Sequence, residues 1–186
     1  FYGPIMAIAG VSLKVETGSI VTILGANGAG KTTLLKTISG AIDCRKGQVL
    51  LSGEQVQNRA PDEAAAKGIG HVPEGREVFP FMTVEESLMI LDEPSLGLSP
   101  LLTQTIFEII RRINAEQGVT IMLVEQNAQA ALNVAQHGFI MEVGRVVMDA
   151  PTRDLLASDD IKEFYLGQSD VGVRGEKRWK KRKTWR

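Results

Sequence analysis

The sequence predicts an α/β domain with a mainly parallel central sheet, whose ligand sits at the carboxyl ends of the strands. Three observations carry that prediction. Apolar runs of strand length alternate with runs of helical periodicity along most of the chain. The stretch Gly25-Ala26-Asn27-Gly28-Ala29-Gly30-Lys31-Thr32-Thr33 fits the phosphate-binding pattern G-x-x-x-x-G-K-[ST] and lies between such a strand and such a helix. A further apolar run, Leu88 to Leu91, ends in the carboxylate pair Asp92-Glu93.

Taken in order, Val11 to Val15 alternates like a half-buried strand. The turn signal Glu16 to Ser19 follows, and the two together read as a hairpin leading into the apolar strand Ile20 to Leu24. The helix after the loop runs through Ile38 and closes near Gly40. Gly47 to Gly53 reads as a strand and turn of an antiparallel β subdomain. Pro61-Asp62-Glu63 starts a short helix that stops at Gly68, with Pro in the first turn. Ile69 to Val72 is a short buried strand before Pro73-Glu74-Gly75. Ser99-Pro100 caps a helix with Ile106, Phe107, Ile109, Ile110 and Ile113 at helical spacing, closed by Gly118. Val119 to Val124 is continuously apolar, as in a parallel sheet covered on both faces. Asn127 to His137 reads as a helix closed by Gly138, with His137 interacting with the helix dipole. Phe139 to Val143 and Arg145 to Met148 form a hairpin around Gly144, followed by short helices at 151–156 and 159–165.

One region contradicts itself. Thr83-Val84-Glu85-Glu86 is a capping box that opens a helix, yet Leu88 to Glu93 reads as a strand, with no turn residue between them. A segment is therefore expected to be missing near 88–91. The chain divides into a nucleotide-binding domain at 1–167 and a tail at 168–186.

Composition narrows the class. At 186 residues, 44% apolar and 23% charged, the chain suits one globular core. No apolar run reaches bilayer-spanning length, and Phe1 to Leu13 lacks the basic start of a signal peptide. The single Cys44 excludes an internal disulfide. The net charge of −1 is unevenly spread, because the tail from Arg174 to Arg186 is strongly basic, with Trp179 and Trp185 interleaved. A solvated end, an anionic membrane surface or nucleic acid are the readings open to that tail. No Cys/His spacing points to zinc, and His71 reads as a strand residue. Val78, Phe79, Phe81 and Met82 read as core or as a docking surface for a membrane-subunit helix.

The chemistry follows from the two motifs. Glycines let backbone N–H groups wrap a phosphate chain, and the helix dipole favours the same anion. Lys31 reaches the β- and γ-phosphates, and the Thr32 hydroxyl ligates Mg²⁺. Asp92 holds the ion through water, and Glu93 polarises a water at the γ-phosphate.

With Tyr2-Gly3, the loop Gly25 to Thr33, His71 to Arg76, Leu91 to Leu98 and Leu123 to Asn127 in view, the chain resembles an ABC transporter ATPase subunit. Within that family it is most similar to the ATP-binding subunits of branched-chain amino-acid importers. The resemblance runs from Tyr2 to about Gly167. It implies that Tyr2 stacks on adenine and that Glu74 stands at the Q-loop position, sensing Mg²⁺ and coupling to the membrane subunit. It implies that Asp92 closes the Walker B strand, Glu93 is the catalytic glutamate and Ser95 to Leu98 is the D-loop. Gln126 stands where most members carry the switch histidine, and it still offers a hydrogen-bond donor. The LSGGQ signature and its helical lobe are absent, which leaves two complete composite sites unexpected.

The implied cofactors are ATP and Mg²⁺. The implied partners are membrane permease subunits, a second ATPase subunit in a homo- or heterodimer and, indirectly, a solute-binding protein; nucleic acid is not an expected partner. The implied location is the cytoplasmic face of the membrane. A soluble ABC-type ATPase outside transport, a truncated ATP-binding chain without hydrolysis, and a P-loop kinase are the alternatives. Glu93 directly after Asp92, and the lack of an acceptor motif, stand against the kinase.

Overall fold

The computed structural model describes residues 6–75 and 87–167. Tyr2, the capping box at 83–86, the apolar residues at 78–82 and the basic tail lie outside the described residues.

The chain builds a six-stranded sheet in the order β4-β5-β6-β1-β7-β8. These strands are β1 (Ile20–Gly25), β4 (Ile69–Val72), β5 (Leu88–Asp92), β6 (Thr120–Val124), β7 (His137–Glu142) and β8 (Arg145–Pro151). The five from β4 to β7 run parallel, and β8 returns antiparallel on the edge beyond β7. A separate two-stranded hairpin, β2 (Leu50–Leu51) and β3 (Glu54–Gln55), is the antiparallel part.

The central strands are mostly apolar because both faces are covered. In β6, Ile121 and Leu123 join the core on one face, while Met122 and Val124 join that on the other. The first core is closed by α3 (Pro100–Gln117), α4 (Ala128–Val134), α5 (Thr152–Ala157) and α6 (Asp159–Phe164). The second is closed by α1 (Lys31–Ile38) and α2 (Pro61–Ala66), with Val11, Leu13 and Val15 packed against it.

Most boundaries follow local chemistry. Ser99 caps α3 by accepting from the Leu102 N–H, and Gly118 ends it in the left-handed region at φ 69°. Pro61 occupies the first turn of α2, where its missing N–H costs nothing.

The structure corrects two expectations. Residues 11–15 form no strand, so no hairpin precedes β1; their alternation serves packing, with no ladder partner among the described residues. The fourth helix ends at Val134, three residues short of His137. The chain leaves it because Gln136 joins the sheet: its N–H donates to the Ile20 carbonyl, and its Oε1 accepts from the Ile20 N–H at 2.6 Å. His137 is thus not a dipole partner but the first residue of β7, paired with Asp149 on β8. Leu88 to Asp92 is one uninterrupted strand, as its apolar run predicts, with β4 along one edge and β6 along the other.

Candidate functional site

The carboxyl ends of β1, β4, β5 and β6 converge on one cleft of about 310 Å³, lined by Ala7, Asn27, Gly28, Gly30, Lys31, Thr32, Thr33, Glu74, Glu93 and Gln126. This edge is where an open α/β sheet presents its ligand site. The loop after β1 and the first turn of α1 supply three of these residues each.

The geometry of the loop is set by its glycines. Gly28 and Gly30 have φ of 79° and 101°, values that L side chains rarely adopt. Gly30 is the residue before α1, and no side chain caps that helix. Its first-turn N–H groups therefore lack a side-chain acceptor and face the cleft as an anion site. Lys31 is buried, at 6% exposure, and its Nζ donates to the carbonyls of Gly25 at 2.9 Å and Ala26 at 3.1 Å. Ala29 packs into the core behind the loop, and Gly25 and Ala26 lie outside the cleft lining.

The acidic side is built by β5. Asp92 is buried, and both of its carboxylate oxygens lack a hydrogen-bond partner. An orphaned buried carboxylate is expensive in an empty site and fits a hard cation with its water shell. Among the described residues no three Asp, Glu, His or Cys side chains converge to hold an ion alone. The donor set suits a Mg²⁺ ion completed by a hydroxyl, water and phosphate oxygens rather than a protein cage.

Glu93 follows in a left-handed conformation, φ 51°. Its N–H donates to the Val124 carbonyl at 2.9 Å, and its Oε2 accepts from Gln126 Nε2 at 2.8 Å. Burial raises the Glu93 pKa above the ordinary carboxylate range, and the charges of Glu74 and Asp92 add to the rise. The Gln126 hydrogen bond and Lys31 oppose it. A carboxylate with a raised pKa is a stronger base.

Glu125 is a buried residue to which sequence reasoning gave no role. Its carboxylate accepts from the Ser95 N–H at 2.9 Å and the Ser95 hydroxyl at 2.8 Å. It ties the 93–98 turn to the end of β6, beside Gln126. An acidic residue directly after a continuous apolar strand was the available signal. His71 lies in β4, with Nδ1 2.9 Å from the Ser39 hydroxyl, and burial lowers its pKa.

Fold and cleft together define a phosphate-loop α/β nucleotide-binding domain. The family model described as "ABC transporter" matches residues 8–153. The chain belongs to the ABC transporter family of ATPases. A branched-chain amino acid transport ATP-binding protein, BraG of Pseudomonas aeruginosa, is 35% identical over 90% of this chain and 96% of that protein. A probable branched-chain amino acid transport ATP-binding protein, LivF of Archaeoglobus fulgidus, is 27% identical over 86% of this chain and 92% of that one. Among solved structures, the ADP conformation of an ATP-binding cassette of an ABC transporter aligns with a TM-score of 0.75 at 20% identity. That alignment covers 90% of this chain and 95% of the other, and it supports the fold.

Proposed function

We propose that this chain is the ATP-binding subunit that energises an importer for branched-chain amino acids or a related small polar solute. The observation that carries the reading is the convergence, at one sheet edge, of the phosphate loop with the orphaned Asp92 carboxylate and the Glu93–Gln126 pair. The names of BraG and LivF supply the solute class.

In this reading Tyr2 stacks on adenine, and Gly25, Ala26, Asn27, Gly28, Ala29, Gly30, Lys31, Thr32 and Thr33 form the phosphate cradle. Thr32 and Asp92 hold Mg²⁺, with Glu74 at its edge. The ion neutralises charge on the phosphates when bound. Glu93 takes the proton of the attacking water, and Gln126 orients Glu93. The chain works at the cytoplasmic face of the membrane, against permease subunits and a second ATPase subunit, with a solute-binding protein acting on the permease. Among the described residues no helix is long and apolar enough to cross a membrane.

A second reading, a chain that binds ATP without completing turnover, has its own support. The LSGGQ signature is absent. The alignment with BraG runs over 224 residues although this chain has 186, so the relative carries a stretch that has no counterpart here. Calorimetry with Mg-ATP, followed by phosphate-release assays on the same sample, separates the readings. Binding with turnover supports the first, binding without turnover the second, and no binding removes both. Capture of a permease in detergent by the tagged chain tests the transport role, and its failure would sink that role.

The Mg²⁺ assignment makes a sharper prediction. Asp92→Asn removes a buried carboxylate that has no hydrogen-bond partner and whose charge disfavours that of Glu93. The metal-free protein is expected to melt about 2–4 °C higher, the shift produced by about 1 kcal/mol in a domain of this size. The same variant loses the extra thermal stabilisation that Mg²⁺ adds to bound nucleotide. A lower melting temperature with Mg²⁺ dependence intact would contradict the assignment.

A further inference from the structure

The glycines of the phosphate loop do not all face open space. A Cβ on Gly28 would meet nothing within 4 Å, so this glycine faces open space. A Cβ on Gly30 would lie 2.8 Å from the Ala7 carbonyl oxygen, and one on Gly25 would collide with the Met141 carbonyl. Gly25 is therefore pressed against β7, and Gly30 against Ala7.

The turn between β7 and β8 makes the same contact from its own side. Its residues are Val143 and Gly144, both at positive φ, 46° and 74°. Such a tight turn commonly leaves its tip to solvent. Here the Gly144 N–H donates to the Ala29 carbonyl at 2.9 Å, and the Gly144 carbonyl accepts from the Ala9 N–H at 2.8 Å. A Cβ on Gly144 would lie 2.5 Å from the Ala7 carbonyl oxygen and 3.2 Å from Ile8 Cα. Val143 is a β-branched residue in the left-handed region at 88% exposure, a strained conformation that no burial compensates. The turn's shape is held by its bonds to the loop.

The orientation matters for the cleft. The described peptide bonds are all trans, so a carbonyl and the following N–H point in opposite directions. Fixing the Ala29 carbonyl on Gly144 aims the Gly30 N–H away from the turn. We propose that the Val143–Gly144 turn is a positioning element for the phosphate cradle: Gly144 anchors Ala29 and Ala9 together and thereby presets the direction of the Gly30 N–H. This rests on the nucleotide reading of the cleft, and it gives the turn after β7 a role in nucleotide affinity.

The test is titration calorimetry of the full chain with Mg-ADP, at a temperature where circular dichroism shows both proteins folded. Gly144→Ala adds a Cβ against Ala7 and disfavours the φ of 74°. It is expected to weaken Mg-ADP binding by about tenfold or more, the scale of one lost hydrogen bond to a charged group. A merely structural role would lower the melting temperature and leave the Kd of the folded protein unchanged, and that result overturns the proposal. No Mg-ADP binding by the unsubstituted chain would remove the nucleotide reading, and the proposal with it. A measurement on the unsubstituted chain holds even where Gly144→Ala fails to fold. The Gly144 amide is expected to be protected from hydrogen exchange despite its place at a hairpin tip, and Mg-ADP is expected to slow its exchange further. Fast exchange at Gly144, or protection that nucleotide does not alter, overturns the proposal.

Discussion

Lys31→Ala is expected to weaken Mg-ATP binding by at least about a hundredfold, because hydrogen bonds to charged groups contribute about 1.5–3 kcal/mol each and a lysine reaching two phosphates makes more than one. The side chain is already in place. It is buried at the cleft, and its Nζ is held by the carbonyls of Gly25 and Ala26. Those bonds fix the ammonium over the loop, so little side-chain entropy remains to be lost when phosphate arrives. Lys31→Arg is not a conservative control, since the longer planar guanidinium does not fit a buried site shaped around a compact ammonium. Lys31→Met is the better one, as it keeps the apolar stem and removes only the charge. Both Ala and Met variants are expected to lose affinity together, measured by calorimetry under conditions where they remain folded. Unchanged affinity in either would show that Lys31 does not meet the phosphates.

The parts of this molecule that were legible in the sequence are those whose signals are local. The phosphate loop is specified by residues within nine positions of one another, and its strand and helix fall on either side. The third helix carries its own cap at Ser99, its own stop at Gly118 and a periodic face. The β6 strand is apolar at nearly every position because two cores claim it. Asp92 and Glu93 stood out only because the chain also carries a phosphate loop; alone, a charged pair ending a buried strand is a weak signal.

What escaped the sequence depends on distant partners. Residues 11–15 alternate as a strand does, but a ladder needs a neighbouring strand, and packing alone satisfies the same alternation. Ala135 and Gln136 are compatible with a helix; they leave it because Ile20, more than a hundred residues earlier, offers both halves of a hydrogen-bonded pair. Glu125 became interpretable only when Ser95 was placed against it. Gly144 looked like an ordinary hairpin glycine, and its contact with Ala29 is invisible in sequence. Each of these is a pairing between segments far apart in the chain, which local propensity does not encode.

Glu93→Gln is expected to leave Mg-ATP affinity within about twofold while reducing turnover by about two to three orders of magnitude, the usual worth of a positioned general base. The isosteric amide keeps the size of the side chain and an oxygen that can accept from Gln126 Nε2, so the cleft should hold its shape. What it loses is the proton acceptor. Burial and the charges of Glu74 and Asp92 raise the Glu93 pKa, which strengthens the base but also raises the pH below which it is protonated and idle. The Gln126 hydrogen bond works the other way, stabilising the carboxylate and lowering that pH. Removing the donor with Gln126→Ala should therefore move the acid limb of the turnover profile to higher pH, with the plateau less affected. Phosphate release measured across pH checks both statements. Normal turnover in Glu93→Gln would exclude Glu93 as the base. An acid limb unmoved in Gln126→Ala would mean that the 2.8 Å bond does not tune it.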